Sequence, residues 1–219
     1  MKDSLRASAV CLLTLAAAWP GAAQFPAGAP FTVNTTNAGK KSFPDVAVGP
    51  DGRFAVAWRA DQQDGDGWGV FARWFDSAGA ALTGEVQVNT VAAGLQRFWG
   101  IDSDGQSNFV IVWVDDDRGV IVRRFDGTGN PLSDELLVMS TDLATDAAVS
   151  ANAGGSFVVT WLRLASPNWI VEARRYGADG LPLGNAFTVS TFFDFAYSEE
   201  TAVELRDDQS FIVGWGDGE

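Results

Sequence analysis

The sequence predicts an all-β repeat protein, and three observations predict it. A five-residue run, Phe54-Ala55-Val56-Ala57-Trp58, returns as Phe109-Val110-Ile111-Val112-Trp113, Phe157-Val158-Val159-Thr160-Trp161 and Phe211-Ile212-Val213-Gly214-Trp215. The four tryptophans stand 55, 48 and 54 residues apart. Each run is β-branched and aromatic and is bounded by Gly and Asp, the composition of a strand rather than a helix. Side chains alternate faces along a strand, so Phe54, Val56 and Trp58 share one face and Ala55 and Ala57 the other. Both faces are apolar or small in all copies, which requires cover on both.

Met1 to Ala23 has the form of a secretory leader. Lys2 and Arg6 supply its charged start, Ala9 to Trp19 its apolar run and Gly21-Ala22-Ala23 its small residues before cleavage. The run is too short to span a bilayer. The mature chain is therefore expected to be secreted, periplasmic or at the cell surface, with no membrane insertion after cleavage. Cys11, the one cysteine, lies inside the leader, so nothing in the mature chain forms a disulfide. Nearly two hundred residues must instead build a sufficient core.

Removing Lys2, Arg6 and Asp3 from 15 basic and 28 acidic residues leaves 13 and 27, a net charge of −14. Nucleic acid and anionic lipid are unsuited partners for such a chain. Gln24 to Pro30 reads as a Pro/Gly/Ala linker.

The repeat unit follows in order. A short first strand lies at Asp45 to Val48, around Ile101, at Ala147 to Ser150 and at Thr201 to Glu204. A turn at Asp51-Gly52, Asp104-Gly105, Gly154-Gly155 or Asp207-Asp208 leads to the Phe-to-Trp strand. A third strand follows at Val70 to Phe75, Val120 to Phe125 and Val171 to Tyr176. Gly79, Gly129 and Gly180 mark the connection to a fourth strand at Val86 to Thr90, Leu136 to Ser140 and Phe187 to Thr191. Phe31 to Thr35 matches that fourth strand ahead of the first unit. Four antiparallel strands in about 50 residues make a propeller blade. The blades are expected at 31–35 plus 43–90, 99–141, 145–191 and, in part, 200–219. The last unit stops after its second strand, as in an incomplete ring. The alternative is a closed four-bladed ring whose last blade is completed by Phe31 to Thr35.

Asp51 to Trp58, Asp66 to Gly79 and Val88 to Thr90 resemble the tandem β-propeller-type repeats of large secreted or surface bacterial proteins. The resemblance covers nearly all of the mature chain. Later units depart from it: Gly177 replaces the Asp of positions 76 and 126, and Met139 replaces the Asn of positions 34 and 89. The resemblance implies export and a propeller-like fold, and no catalytic residues.

With no His in the chain and no Cys after the leader, Ser-His-Asp and Cys-His catalysis and thiolate or imidazole metal sites are excluded. An enzyme on this chain would work through carboxylates, as glycoside hydrolases do. Strand alternation puts the second-to-third loops and the fourth-to-first loops on one rim. The former are acidic. Asp64 and Asp66, and Asp115 and Asp117, have the Asp-x-Asp spacing that supplies oxygens to Ca²⁺, and also the composition of plain soluble turns. The latter carry Phe98, Trp99, Phe193, Asp194, Tyr197 and Glu199, rings and acids suited to a carbohydrate or a protein surface. Large rings also fill gaps between blades. Arg73, Arg123 and Arg174 recur in every third strand, which suits a structural pairing with a loop carboxylate or a neighbouring Trp better than an active site. The expected role is a binding, adhesion or structural module that continues into further repeats. The competing role is a carbohydrate-active enzyme, with Asp194, Glu199 and Glu200 the acids unmatched in other units.

Overall fold

The computed structural model describes residues 29–140, 144–190 and 200–216. The leader and most of the linker fall outside them, as does most of the 192–200 loop. The blades lie in the unit Val33–Glu219.

Three four-stranded antiparallel sheets and one two-stranded sheet follow one another along the chain. The first holds β1 (Lys41–Val48), β2 (Phe54–Asp61), β3 (Trp68–Phe75) and β4 (Val86–Gln87). The second holds β5 (Gln96–Ser103), β6 (Phe109–Asp115), β7 (Gly119–Phe125) and β8 (Leu136–Met139). The third holds β9 (Ala144–Ala151), β10 (Phe157–Ala165), β11 (Asn168–Tyr176) and β12 (Phe187–Thr188). The last pair is β13 (Thr201–Leu205) and β14 (Phe211–Trp215). Strand order within each sheet is sequential, so every connection is a hairpin. These are the blades the repeat predicts.

The turns explain the spacing of Gly and Asp. Gly79, Gly129 and Gly180 take φ of +85°, +83° and +81° at one place in each β3–β4-type connection, where a Cβ would be strained. The Asp76 carboxylate accepts from the amides of Ala78 and Ala80, and Asp126 from those of Thr128 and Asn130. The third blade has Gly177 at that place, and Asp179 takes over by accepting from Leu181 N–H.

The two faces of each Phe-to-Trp strand have separate duties. In the first blade Ala47, Ala55, Ala57, Val70, Ala72 and Trp74 face the second, where Phe109, Ile111, Trp113, Ile121 and Phe125 meet them. Val110, Val112, Val114, Val120 and Val122 then meet Phe157, Val159, Trp161 and Tyr176 of the third. Val158 and Ala173 meet Val203, Leu205 and Phe211 of the fourth. We call the Phe-Trp side the front and the opposite side the back. Along the second strands the front residues are large and the back residues small or β-branched, and Trp74 on the back of the first blade fills the space left there against Phe109 and Phe125, so successive sheets interdigitate.

The repeated arginine ties each blade to the chain before it. Arg123 donates from Nη1 to Val88 O of the preceding blade at 2.8 Å and from Nε to Ser133 O of its own at 3.3 Å. Arg174 does the same to Val138 O and Gly184 O, and Arg73 to Val33 O and Thr83 O. Each guanidinium also lies over the ring two residues on, Phe75, Phe125 or Tyr176, at 5.4 to 5.7 Å. The partners are thus backbone carbonyls and a Phe or Tyr ring, not the loop carboxylate or Trp expected. Glu85 adds a second tie by accepting from the amides of Thr35 and Thr36, and Glu135 by accepting from that of Thr90. These bonds hold Glu85 at a pKa of about 2 against the opposing effect of burial.

The Val-Asn-Thr motif is therefore an interblade clasp. Its Asn turns the chain out of the sheet: Asn89 Oδ1 accepts Val70 N–H at 2.8 Å, as Ser190 Oγ accepts Val171 N–H in the third blade. Met139 has no acceptor to offer, and there the strand runs on, pairing with Val120 to lengthen β8. Val33 to Thr36 makes the same clasp on the first blade but forms no strand, having no third-type strand beside it. We expect Arg123→Met, which keeps the stem and loses both bonds, to lower stability by about 2 kcal/mol in denaturant titration.

Candidate functional site

The first strands of the blades, β1, β5, β9 and β13, lie side by side, and polar side chains sew each to the next. Asp45 Oδ2 accepts Ile101 N–H at 3.3 Å, Asp102 Oδ2 accepts Ala151 N–H at 2.8 Å and Ser150 Oγ accepts Leu205 N–H at 3.0 Å. Asp146 accepts the amide of Thr201. Between these strands runs a cleft of about 320 Å³. Its polar lining comes from Asp45, Asp146 and Glu200, its aromatic lining from Phe43 and Trp99, and Gly100, Ala147 and Ala148 keep its floor low.

Two bulges set the aromatics. The β1 register shifts between Ser42 and Asp45, with Phe43 at φ +53°. The β5 register shifts between Phe98 and Gly100, leaving Trp99 as the extra residue. Such a bulge breaks the in-out alternation and re-aims a side chain. The two rings meet edge to face at 6.4 Å, the arrangement favoured by their quadrupoles. Arg59 lies over Phe43 at 4.0 Å and over Trp68 at 4.6 Å, and its Nε donates to Ser42 Oγ. Its pKa is lowered by burial first and by the charge of Arg97 second.

The carboxyls differ in environment. Asp45 is exposed and accepts Val46 N–H as well as Ile101 N–H. Glu200 is also exposed. Asp146 is 3% exposed. Burial pushes its pKa up to about 6, against the amides of Thr201 and Ala147 and helped by the charge of Glu200. Asp102 is raised by burial in the same way. One carboxyl of the cleft therefore holds a proton in mildly acidic solution beside two that face solvent, the contrast that acid-base work requires.

The residues singled out from sequence fall as follows. Phe98 lies in β5 and is buried in the core between the first two blades, which leaves it no face for a ligand. Trp99 is in the cleft. Phe193, Asp194, Tyr197 and Glu199 lie outside the described residues. Asp64 Oδ2 accepts from Asn89 Nδ2 and Asp66 Oδ2 accepts Gly94 N–H, so the two kinds of loop do share a rim. Asp117 also approaches Gly94, its Oδ2 2.8 Å from where a Cβ would sit. Asp115 is buried, with Arg118 donating to it from Nε at 2.7 Å. Among the described residues no three or more His, Cys, Asp or Glu side chains gather in a way that could hold a metal ion. No described helix is long and apolar enough to cross a membrane.

No protein-family model matches the chain, and no curated protein matches it. Solved structures do. The endo-arabinase from Bacteroides thetaiotaomicron VPI-5482 superposes with a TM-score of 0.51 at 11% identity, over 84% of this chain and 74% of that one. The fold is a β-propeller. The β-propeller domain of the Trilobed protease from Pyrococcus furiosus superposes at 0.43 with 8% identity, over 75% of this chain and 45% of that one. An α-L-arabinofuranosidase from Podospora anserina, PaAbf62A, gives 0.35 at 11% identity over 69% and 70%. At such identities the likeness carries architecture and not chemistry. In a propeller the first strands of the blades line the central channel. The cleft of Asp45, Asp146 and Trp99 occupies that position here.

Proposed function

We propose that the chain is an exported, carbohydrate-active propeller that holds a saccharide in the cleft between its first strands and hydrolyses a glycosidic bond there. The observation that carries this reading is the meeting, in one cleft, of a protonatable Asp146 with exposed Asp45 and Glu200 beside the Trp99 ring. Sugar rings stack their C–H faces on indole, and their hydroxyls donate to carboxylates. A cleft lined by acids without a facing base suits a neutral polyol better than an anion.

In this reading Asp146 is the general acid. It gives its proton to the glycosidic oxygen as the C–O bond breaks. The carboxylate of Asp45 or Glu200 either activates the attacking water or attacks the anomeric carbon, and the proton returns from water at the end of the cycle. A second reading, a binding or adhesion module without chemistry, is favoured by the near-complete enclosure of Asp146 and its bonds to backbone amides.

The test is reducing-end release from arabinan, xylan and β-glucan, paired with calorimetric binding of the same glycans. Arabinan comes first because an endo-arabinase shares the architecture. Hydrolysis that falls about 10²-fold or more in Asp146→Asn, with binding retained, supports the enzyme. Binding without hydrolysis in the unaltered protein selects the second reading, with Trp99→Ala expected to weaken binding. Failure of every glycan to bind would sink both.

A further inference from the structure

Arg59 interrupts an apolar row. The fifth residue after the Phe of the first three blades is Arg59, Val114 or Leu162, and each pairs across the sheet with a valine, Val70, Val120 or Val171. The three valines are buried, and so are Val114 and Leu162, at 1% and 0% exposure. An arginine in that row gives up packing that its counterparts gain and brings a charge instead.

That charge is held in place and left without a counter-charge. The guanidinium lies over Phe43 and Trp68, and its Nε donates to Ser42 Oγ at 2.9 Å. The four N–H bonds of Nη1 and Nη2 remain. Among the described residues they meet no acceptor, and Arg59 stands in no ion pair. Neither Nη is among the buried polar atoms that lack a partner, so both reach solvent. Arg97 adds to the positive potential here: it is paired with Asp116 at 2.9 Å, yet its charge still acts on Arg59.

Phe43, whose ring carries the guanidinium, also lines the cleft and meets Trp99. The charged groups of the cleft itself are acids, Asp45, Asp146 and Glu200. Across one aromatic ring the surroundings thus change from acidic to basic.

We propose that Arg59 selects an acidic glycan: the carboxylate of a uronic acid unit, carried as a side group on a neutral backbone, docks on its two Nη groups while a neutral unit of that backbone lies in the cleft. This rests on the reading of the cleft as a saccharide site. A carboxylate is planar and presents two oxygens, the match for two Nη donors held in one plane. Fixed by two rings and by Ser42, those donors lose little freedom on binding. A polyuronate suits the site less, because the chain is strongly acidic as a whole and repels a polyanion.

Calorimetric titration of the full chain with glucuronoxylan, and with the same polymer after its carboxyls are reduced to alcohols, tests it. The unaltered protein should bind the acidic polymer about tenfold more tightly, as expected for one charge-assisted pair, and the preference should shrink as salt is raised. Arg59→Gln should erase the preference and leave binding of the reduced polymer unchanged. Asp116→Asn, at a partly exposed position, removes the charge that offsets Arg97 and should strengthen the preference about threefold. That variant decides the matter if Arg59→Gln does not fold, and an unchanged preference in it overturns the inference. Equal binding of the two polymers by the unaltered protein also overturns it, and leaves the cleft as a saccharide site. So does an equal loss of affinity for both polymers in Arg59→Gln, since Arg59 would then act only by holding Phe43. Binding of neither polymer overturns it too, and the saccharide reading falls with it if arabinan and β-glucan fail as well.

Discussion

Trp113→Ala is expected to destabilise the protein by about 3–5 kcal/mol, and Trp215→Ala by only about 1 kcal/mol, although the two residues hold the same place in the repeat. Trp113 is fully buried between the first and second blades, with the small Ala55 and Ala57 in the face opposite. Emptying that space leaves a cavity that rigid strands on both sides cannot collapse. Trp215 is 39% exposed, so a large part of what its removal costs is already conceded to solvent, and its removal leaves no enclosed cavity. Trp161→Ala should resemble Trp113→Ala with an added loss, because Trp161 Nε1 donates to Glu172 Oε2 at 3.1 Å and Glu172 also holds Arg163. Trp113 Nε1 meets no such acceptor among the described residues. Trp113→Phe should therefore recover most of the stability, whereas Trp161→Phe should recover less. Urea midpoints at constant m-value measure the series. Equal losses at Trp113 and Trp215 would mean that the motif, and not its place in the stack, sets the energetics.

That contrast also marks what could be read from the sequence. The period, the Phe-to-Trp alternation and the Gly turns determine the blade, because each is a local requirement of a strand or a hairpin. The sharing of a rim by the Asp64–Asp66 and Gly94 loops followed from strand alternation alone. The arginine's true partners did not follow, because backbone carbonyls carry no signature in a sequence. Nor did the displacement of Trp99 from its neighbour Phe98. The two were read as a pair on a loop, and a bulge sends one to the core and the other to the cleft. Asp45 and Asp146 were legible in principle. An acid inside an otherwise apolar first strand breaks the pattern, and Asp102 breaks it in the second blade too, one same-face step closer to the hairpin turn than Asp45. The abundance of Asp in the loops drew attention away from them. What decides the candidate site is the adjacency of β1, β5, β9 and β13, strands about 50 residues apart in the chain, which only the packing of blades provides.

Asp146→Asn is expected to stabilise the protein at pH 7 while removing the proton that the proposed reaction needs. Burial raises the Asp146 pKa from 3.8 to about 6, so the folded state binds a proton that the unfolded state releases between those values. The sign follows from linkage. Relative stability is fully present below about pH 3.8, falls as the pH rises toward 6, and stays low above it. A shift of about two units corresponds to roughly 3 kcal/mol at most, and solvent reaching the carboxyl through the cleft reduces it. Asparagine keeps an oxygen for the amides of Thr201 and Ala147 and carries no charge to bury. The variant should therefore exceed the unaltered protein by about 1–3 kcal/mol at pH 7 and match it near pH 4, as read by thermal melts across that range. A loss of stability in Asp146→Asn at pH 7 would mean that the charge itself holds β13 to β9, and would remove Asp146 as a proton donor. A gain in stability joined to loss of hydrolysis is the opposite pattern. It is the one expected of a carboxyl kept in an unfavourable place because its chemistry is needed there.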